Sequence, residues 1–188
     1  MKDPVSAEKA GRKRKIYTLT VTAVMTAVTC ILAPISISIG TIPISFTNLA
    51  IYLSLFLLGW KIGTVSVVVY LLIGLTGIPV FSGFTGGVAK LVGPTGGYLI
   101  GFIPMAVVAG LVIEKTNNRF LQFAGMVAGT AIAYALGTAW YCVVMNSGVV
   151  AALSVCVFPF IPVDIAKIVI AIVVVSILKT SLLISLPF

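Results

Sequence analysis

The sequence contains no histidine, and only four of its 188 residues are acidic: Asp3, Glu8, Glu114 and Asp164. That removes histidine-based acid–base catalysis and leaves no carboxylate dyad, since Asp3 and Glu8 lie in the N-terminal tail. Cysteine is scarce too. Cys30, Cys142 and Cys156 are scattered through apolar segments without metal-ligand spacing, and read as packing residues. Residues 86–93 are glycine-rich but carry no Gly-Lys-Ser/Thr, so no phosphate-cradling loop for ATP is present there. The chain is expected to be no enzyme, to hold no metal or cofactor, and to have no power source of its own.

Charge is the next shortage. Charged residues make up 9% of the chain and hydrophobic ones 60%, where a soluble domain averages about 25% and 45–50%. With a mean hydropathy of +1.23, this composition specifies a polytopic membrane protein. The net charge of +8 does not point to nucleic acid, because six of the twelve basic residues precede Ile16 and four of them form the run Arg12-Lys13-Arg14-Lys15. A basic cluster directly before an apolar segment is a cytoplasmic anchor with affinity for anionic lipid. Residues 1–15 are therefore read as a basic cytoplasmic tail, and 16–188 as one all-α transmembrane domain.

The domain divides into six expected spans: about 16–33, 47–58, 62–75, 96–113, 120–145 and 162–182. Residues 47–58 are short for a crossing and end at the break Gly59-Trp60-Lys61. Residues 35–46 alternate polar and apolar around Gly40 and Pro43, which predicts an extended loop. Residues 149–161 are apolar but short, and suit a re-entrant or interfacial piece. Ala23 and Ala27 give the first span a small face for close helix approach, and Gly125, Gly129, Ala133 and Gly137 do the same for the fifth. Six spans with both termini cytoplasmic place Lys61, Lys115, Arg119 and Lys179 inside and only Lys90 outside, with Lys167 buried near it, in agreement with the positive-inside rule.

The chain is organised around residues 74–102, which contain Gly-x-Thr-Gly three times, at Gly74, Gly83 and Gly93, with Lys90 between the last two. So many glycines predict several departures from helix, and successive turn amides can form an anion-attracting nest. Irregular backbone at membrane depth survives only where it is buried in protein or lines a polar cavity. The plainer reading is a glycine-rich connection; the sharper one is a binding loop. On the same outer side the sixth span opens with Asp164 and Lys167, which share a helix face at i,i+3. A charge in a membrane helix costs about 2.5–3.5 kcal/mol and by default faces a cavity or a partner. The pair either neutralises itself or forms part of a site with Asn48, Tyr98, Trp140 and Tyr141 nearby.

Three stretches carry a resemblance: Gly77-Ile-Pro-Val-Phe-Ser-Gly-Phe-Thr-Gly-Gly87, Gly93-Pro-Thr-Gly-Gly-Tyr-Leu-Ile-Gly-Phe102, and Pro159-Phe-Ile-Pro-Val-Asp-Ile-Ala-Lys167. They resemble the BioY family, the biotin-binding S components of energy-coupling-factor vitamin transporters. Val163 departs from the glycine expected before the aspartate. The resemblance implies a biotin-binding subunit working with a transmembrane coupling subunit and two ATP-binding subunits. It also implies that Ala23 and Ala27 match the family's docking motif. For biotin, Asp164 is assigned to a ureido N–H, while Lys167 either donates to the ureido oxygen or holds Asp164. Lys90, or the loop amides at Gly96 and Gly97, takes the carboxylate, and the two lysine roles are exchangeable. The competing readings are an S component for riboflavin or thiamin, and a self-sufficient secondary transporter, which lacks support because the spans show no charge relay or inverted repeat.

The charge asymmetry sets a topology test. Single cysteines at positions 40 and 148 should react with an impermeant reagent from outside, and one at 117 should not. Labelling at 117 from outside overturns the orientation.

Overall fold

The computed structural model describes residues 4–39 and 42–181. Within them the chain forms seven helices and one two-stranded antiparallel hairpin. Five of these helices are long and apolar enough to cross a membrane.

Helix α1 (Pro4–Leu32) is continuous through the basic run, so the expected tail is helical from Pro4 onward. Its threonines satisfy their hydroxyls inside the helix: Thr22 donates to Thr18 O at 2.7 Å and Thr29 to Met25 O at 2.9 Å, as hydroxyls in hydrocarbon must. Thr26 also meets Ser66 Oγ at 2.9 Å and ties α1 to the next helix. Ala23 and Ala27 lie on the exposed side.

The alternating segment expected to be an extended loop is a hairpin, β1 (Ser36–Ile39) and β2 (Ile42–Ser45), with Ser36 opposite Ser45 and Ile37 opposite Ile44. Pairing supplies the partners that an unpaired extended backbone would lack near the membrane.

Helix α2 (Thr47–Leu75) reads as one element of 29 residues, yet Gly59 inside it has φ 74° and ψ 174°. That left-handed angle suits glycine and interrupts the helix. The two arms fold back on each other. A Cβ placed on Gly63 would lie 3.2 Å from Leu55 Cα, whereas eight residues along a straight helix span about 12 Å. Glu114 secures the turn by accepting the Trp60 N–H at 3.1 Å, and Lys61 stacks its ammonium 5.5 Å from the Trp60 ring centroid.

The glycine-rich stretch leaves the helix as expected. It takes positive φ at Gly77, Gly83, Gly87 and Phe84, then makes the short α3 (Val88–Val92). Gly87 N–H donates back to Gly74 O at 2.7 Å, and Gly83 N–H to Pro34 O at 3.1 Å, so the stretch is stitched to both neighbouring helix ends. Phe81 anchors it. Its ring is fully buried, sits edge-on to Tyr70 at 5.6 Å between centroids, and fills the space where a side chain on Gly74 would be.

Helices α4 (Gly96–Lys115) and α5 (Arg119–Met145) pack through their small residues. Gly101 meets Ala133, Gly125 meets Val112, and Gly129 meets Ala109. This close approach is the expected small face of the fifth span at work. Between them and α2, Tyr52 hydrogen-bonds Thr130 within the main apolar core. The apolar segment after Asn146 forms an eight-residue helix, α6 (Val149–Cys156), and α7 (Ile161–Ser181) follows. Cys156 is buried, Cys30 and Cys142 are half-buried, and all three are free.

Gly74 tests the loop anchor. A Cβ there would clash with Cζ of the Phe81 ring, so Gly74→Ala should displace the ring and cost about 1–3 kcal/mol. Thermal unfolding of the purified protein in detergent should show the drop. An unchanged midpoint would mean that Phe81 relocates freely.

Candidate functional site

The N-terminus of α7 positions the charged pair. Pro162 sits in the first turn, where a missing N–H is tolerated, and Asp164 follows in the same turn, close to the positive end of the helix dipole. Asp164 N–H donates to Phe160 O at 2.8 Å, holding the residue in register. Both Asp164 and Lys167 are buried.

Three donors converge on the carboxylate. Lys167 Nζ donates to Asp164 Oδ1 at 2.7 Å. Tyr134 Oη donates to Oδ2 at 2.6 Å, and Asn48 Nδ2 donates to the same oxygen at 3.2 Å. The donors come from α7, α5 and α2, so one carboxylate joins three helices. A carboxylate offers roughly four acceptor positions. With two taken on Oδ2 and one on Oδ1, about one remains open, on Oδ1. Charge-assisted bonds of this kind are roughly twice as strong as neutral ones, and they make a buried ion tolerable where an isolated one is not.

These groups line one cavity, part apolar and part polar, as small-ligand sites are. Leu99, Phe102, Ala133 and Phe160 supply apolar wall. Thr47, Asn48, Tyr70, Thr95, Tyr98, Tyr134, Asp164 and Lys167 supply polar groups. Ile42, Pro43 and Ser45 of β2, with Ser82 of the glycine-rich stretch, complete the lining, so both outer loops reach the cavity. The hairpin is fixed there by Ile42, which packs into an apolar cluster with Tyr141, Ala152, Cys156 and Phe160.

Of the residues expected from sequence, Asp164, Lys167, Asn48 and Tyr98 line this cavity; Tyr98 Oη donates to Cys156 O at 2.9 Å. Tyr141 does not line it, lying instead in the cluster beneath the hairpin. Gly96 and Gly97 are buried at the start of α4, with Gly97 against Trp140. Trp140 itself donates from Nε1 to Gly93 O at 3.0 Å and so holds the glycine-rich stretch. Lys90 is half-buried on α3, between Ser82 and Thr95 in the chain, and is not a lining residue. Burial pushes its ammonium below the usual lysine range.

Tyr134 and Tyr70 were not singled out from sequence. Tyr134 offered one signal, its depth: it lies eleven residues before the end of α5, about 16 Å from it, far from the interfacial belt that tyrosines favour, though depth does not say which face is inward. Tyr70, five residues from the end of α2, offered none. Thr95 and Ser82 were legible only as members of the glycine-rich stretch read as a binding loop, and the approach of Thr47 and the hairpin residues depends on how the loops fold back.

A helical membrane bundle that shelters one buried, multiply bonded ion pair in an aromatic and polar cavity has the architecture of a membrane-embedded small-solute-binding protein. Comparison with known proteins narrows the class. Residues 6–183 match the BioY family, and the chain belongs to that family. It is 42% identical over 151 residues to the biotin transporter BioY of Thermotoga maritima, covering 79% of this chain and 87% of that protein. It is 36% identical to the probable biotin transporter BioY of Pyrococcus horikoshii, covering 85% and 94%. Its fold matches the crystal structure of the S-component for biotin from an ECF-type ABC transporter with a TM-score of 0.82 and 32% identity, over 89% of this chain and 93% of that one.

The ion pair predicts a distinctive stability pattern. Lys167→Met or Asp164→Asn alone leaves a buried partner uncompensated and should cost about 3–5 kcal/mol. The double change removes both charges and should recover most of that loss. Thermal unfolding in detergent decides; single variants as stable as the parent would show that the pair is not effectively buried.

Proposed function

We propose that this chain is the biotin-binding membrane subunit of an energy-coupling-factor transporter. The observation that carries the reading is the buried Asp164–Lys167 pair lining the cavity, in a chain of the BioY family. Biotin presents two ureido N–H donors, one ureido oxygen, an apolar ring and chain, and a carboxylate. Asp164 accepts a ureido N–H through the remaining position on Oδ1. Lys167, committed to Asp164 at 2.7 Å, holds and charge-balances it. Asn48 serves the same carboxylate, and Tyr98 forms wall. Lys90, on α3 outside the cavity lining, is assigned the ligand carboxylate only if the chain reaches out of the cavity to it, and Gly96, Gly97 and Tyr141 support the surrounding packing. The competing riboflavin and thiamin readings have no relative behind them among the comparisons described.

The chain crosses the cell membrane six times with both termini cytoplasmic, the arms of α2 counting separately. The first arm, residues 47–58, is about 18 Å long, short of the roughly 30 Å hydrocarbon core. The hairpin β1–β2 precedes it and helps to roof the cavity. The contact between Trp60 and Glu114 supports this count of spans, because the 59–61 turn and the α4–α5 loop belong on the same side in this topology. Accumulation is driven by a partner module of a transmembrane coupling subunit and two ATP-binding subunits. The exposed small face of α1 at Ala23 and Ala27 is the docking surface, and lipid covers the remaining apolar exterior.

Titration of labelled biotin into the purified chain tests the reading. The parent should bind, and folded Asp164→Asn should bind about ten- to a hundredfold more weakly through loss of a charge-assisted bond. The stability-restored double variant should not regain affinity. Parent-like affinity in Asp164→Asn removes this residue from the site, and no binding by the parent removes biotin.

A further inference from the structure

We infer that the biotin carboxylate is held inside the cavity by a cluster of neutral hydroxyls centred on Tyr70, an inference that rests on the biotin reading above. Tyr70 is fully buried and lines the cavity, and its hydroxyl has no hydrogen-bond partner among the described residues. The other two phenols in the lining are spent: Tyr134 donates to Asp164 and Tyr98 to Cys156 O. A buried hydroxyl without a partner forfeits the interaction it had with water, and such groups are rare unless something else meets them. In a cavity wall, that something is the occupant.

Three more hydroxyls gather around it. Thr47 lies beside Tyr70 without a bond of acceptable geometry. Thr47 Oγ1 and Ser45 Oγ are 2.8 Å apart. Each of these hydroxyls brings one proton and their mutual bond uses one, so one is left to donate. Ser82 follows Phe81, whose ring packs edge-on against Tyr70 at an interplanar angle of 84°. The stretch that carries Ser82 also borders the hairpin here: a Cβ on Gly83 would lie 4.0 Å from Ser36 Oγ, and Ser36 pairs with Ser45. Thr47, Ser45 and Ser82 all line the cavity. The cluster thus draws on the hairpin, both arms of α2 and the glycine-rich stretch.

Its place in the cavity decides what it binds. Asp164 acts electrostatically on Tyr52, Tyr98 and Tyr134, whereas Tyr70 has Thr47 and Cys30 as neighbours, the latter in the last turn of α1. The lining therefore has two polar regions, a charged one around Asp164 and a neutral, donor-bearing one where the two outer loops reach the cavity. Biotin also has two, a ureido ring and a carboxylate, joined by an apolar chain. With the ring at Asp164, the carboxylate falls to the hydroxyls. Lys167 keeps two further N–H donors, but its ammonium is 2.7 Å from Asp164 Oδ1, where a second carboxylate would meet like charge. A buried carboxylate needs several hydrogen bonds, and short O–H donors give it strong ones.

The test compares biotin with biotinol, in which a neutral CH2OH replaces the carboxylate, on folded full-length protein. Tyr70→Phe keeps the ring and its contact with Phe81. Its affinity for biotin should fall about ten- to a hundredfold, the size of one charge-assisted hydrogen bond. The fall for biotinol should be several times smaller. Equal biotin affinity in parent and variant overturns the inference, and so do equal falls for the two ligands, which would put Tyr70 at the ring. If Tyr70→Phe does not fold, the double variant Ser45→Ala with Thr47→Val removes the other free donor. It should show the same carboxylate-selective fall, and an equal fall for both ligands overturns the inference. A preference for biotin over biotinol that disappears in Lys90→Met but survives in Tyr70→Phe gives the carboxylate to Lys90 and also overturns it. A parent that binds the two ligands equally overturns this assignment and leaves the biotin reading standing. A parent that binds neither removes both.

Discussion

One buried carboxylate sets the terms for the outer half of this protein. Asp164 lies in a helix that faces lipid on its other side, so its charge must be met entirely from within the bundle. Lys167 supplies the countercharge from the same helix, but a pair alone would leave acceptor positions unfilled. Asn48 and Tyr134 fill two of them, and in doing so bring α2 and α5 to the start of α7. The geometry that makes the charge tolerable is also the geometry that leaves a sheltered space beside it. If Asp164 also meets the ligand, as proposed above, stability and recognition share one node, and ligand titration on folded variants separates the two where loss of uptake does not.

Reaching that node requires α2 to be folded. A straight 29-residue helix would put Thr47 and Tyr70 about 35 Å apart, yet both line one cavity. Gly59 makes this possible, and Glu114 holds the reversed chain by taking the Trp60 amide. The shortness of the first arm then becomes useful: the hairpin and the glycine-rich stretch occupy the space left above it. Their irregular backbone is acceptable there because it is internally bonded, to Pro34 and Gly74 among others, and borders a cavity rather than lipid.

How much of this the sequence shows depends on the physical signal each residue emits. A charge among apolar residues is conspicuous, so Asp164 and Lys167 could be read directly, and Asn48 nearly so. Break signals at Gly59 and Pro43 are local, and they located the reversal and the non-helical segment, though not the pairing of the latter into a hairpin. Tyrosine is ambiguous. It is apolar enough to be core and polar enough to be a ligand contact, and in helices apolar on every side nothing in the pattern says which face is inward. Hence Tyr98 was legible through its motif, whereas Tyr70 and Tyr134 needed the packed structure. The glycines near the site carried the opposite ambiguity. Gly97 has the look of a loop amide but is buried against Trp140, where its value is close approach.

The packing is uneven, and the unevenness has a functional logic. Helices α4 and α5 interlock through glycine and alanine, and the cavity draws part of its wall from this closely packed pair. Helix α1 is different. It touches α2 through Thr26 and Ser66 and leaves Ala23 and Ala27 outward. In the function proposed above, the partner module would meet this bare small face, away from the cavity. The two outer loops supply the remaining link: the hydrogen bond from Gly83 N–H to Pro34 O joins the glycine-rich stretch to the end of α1. Seating of that stretch over a ligand and the position of α1 are thus mechanically connected through one short span of backbone.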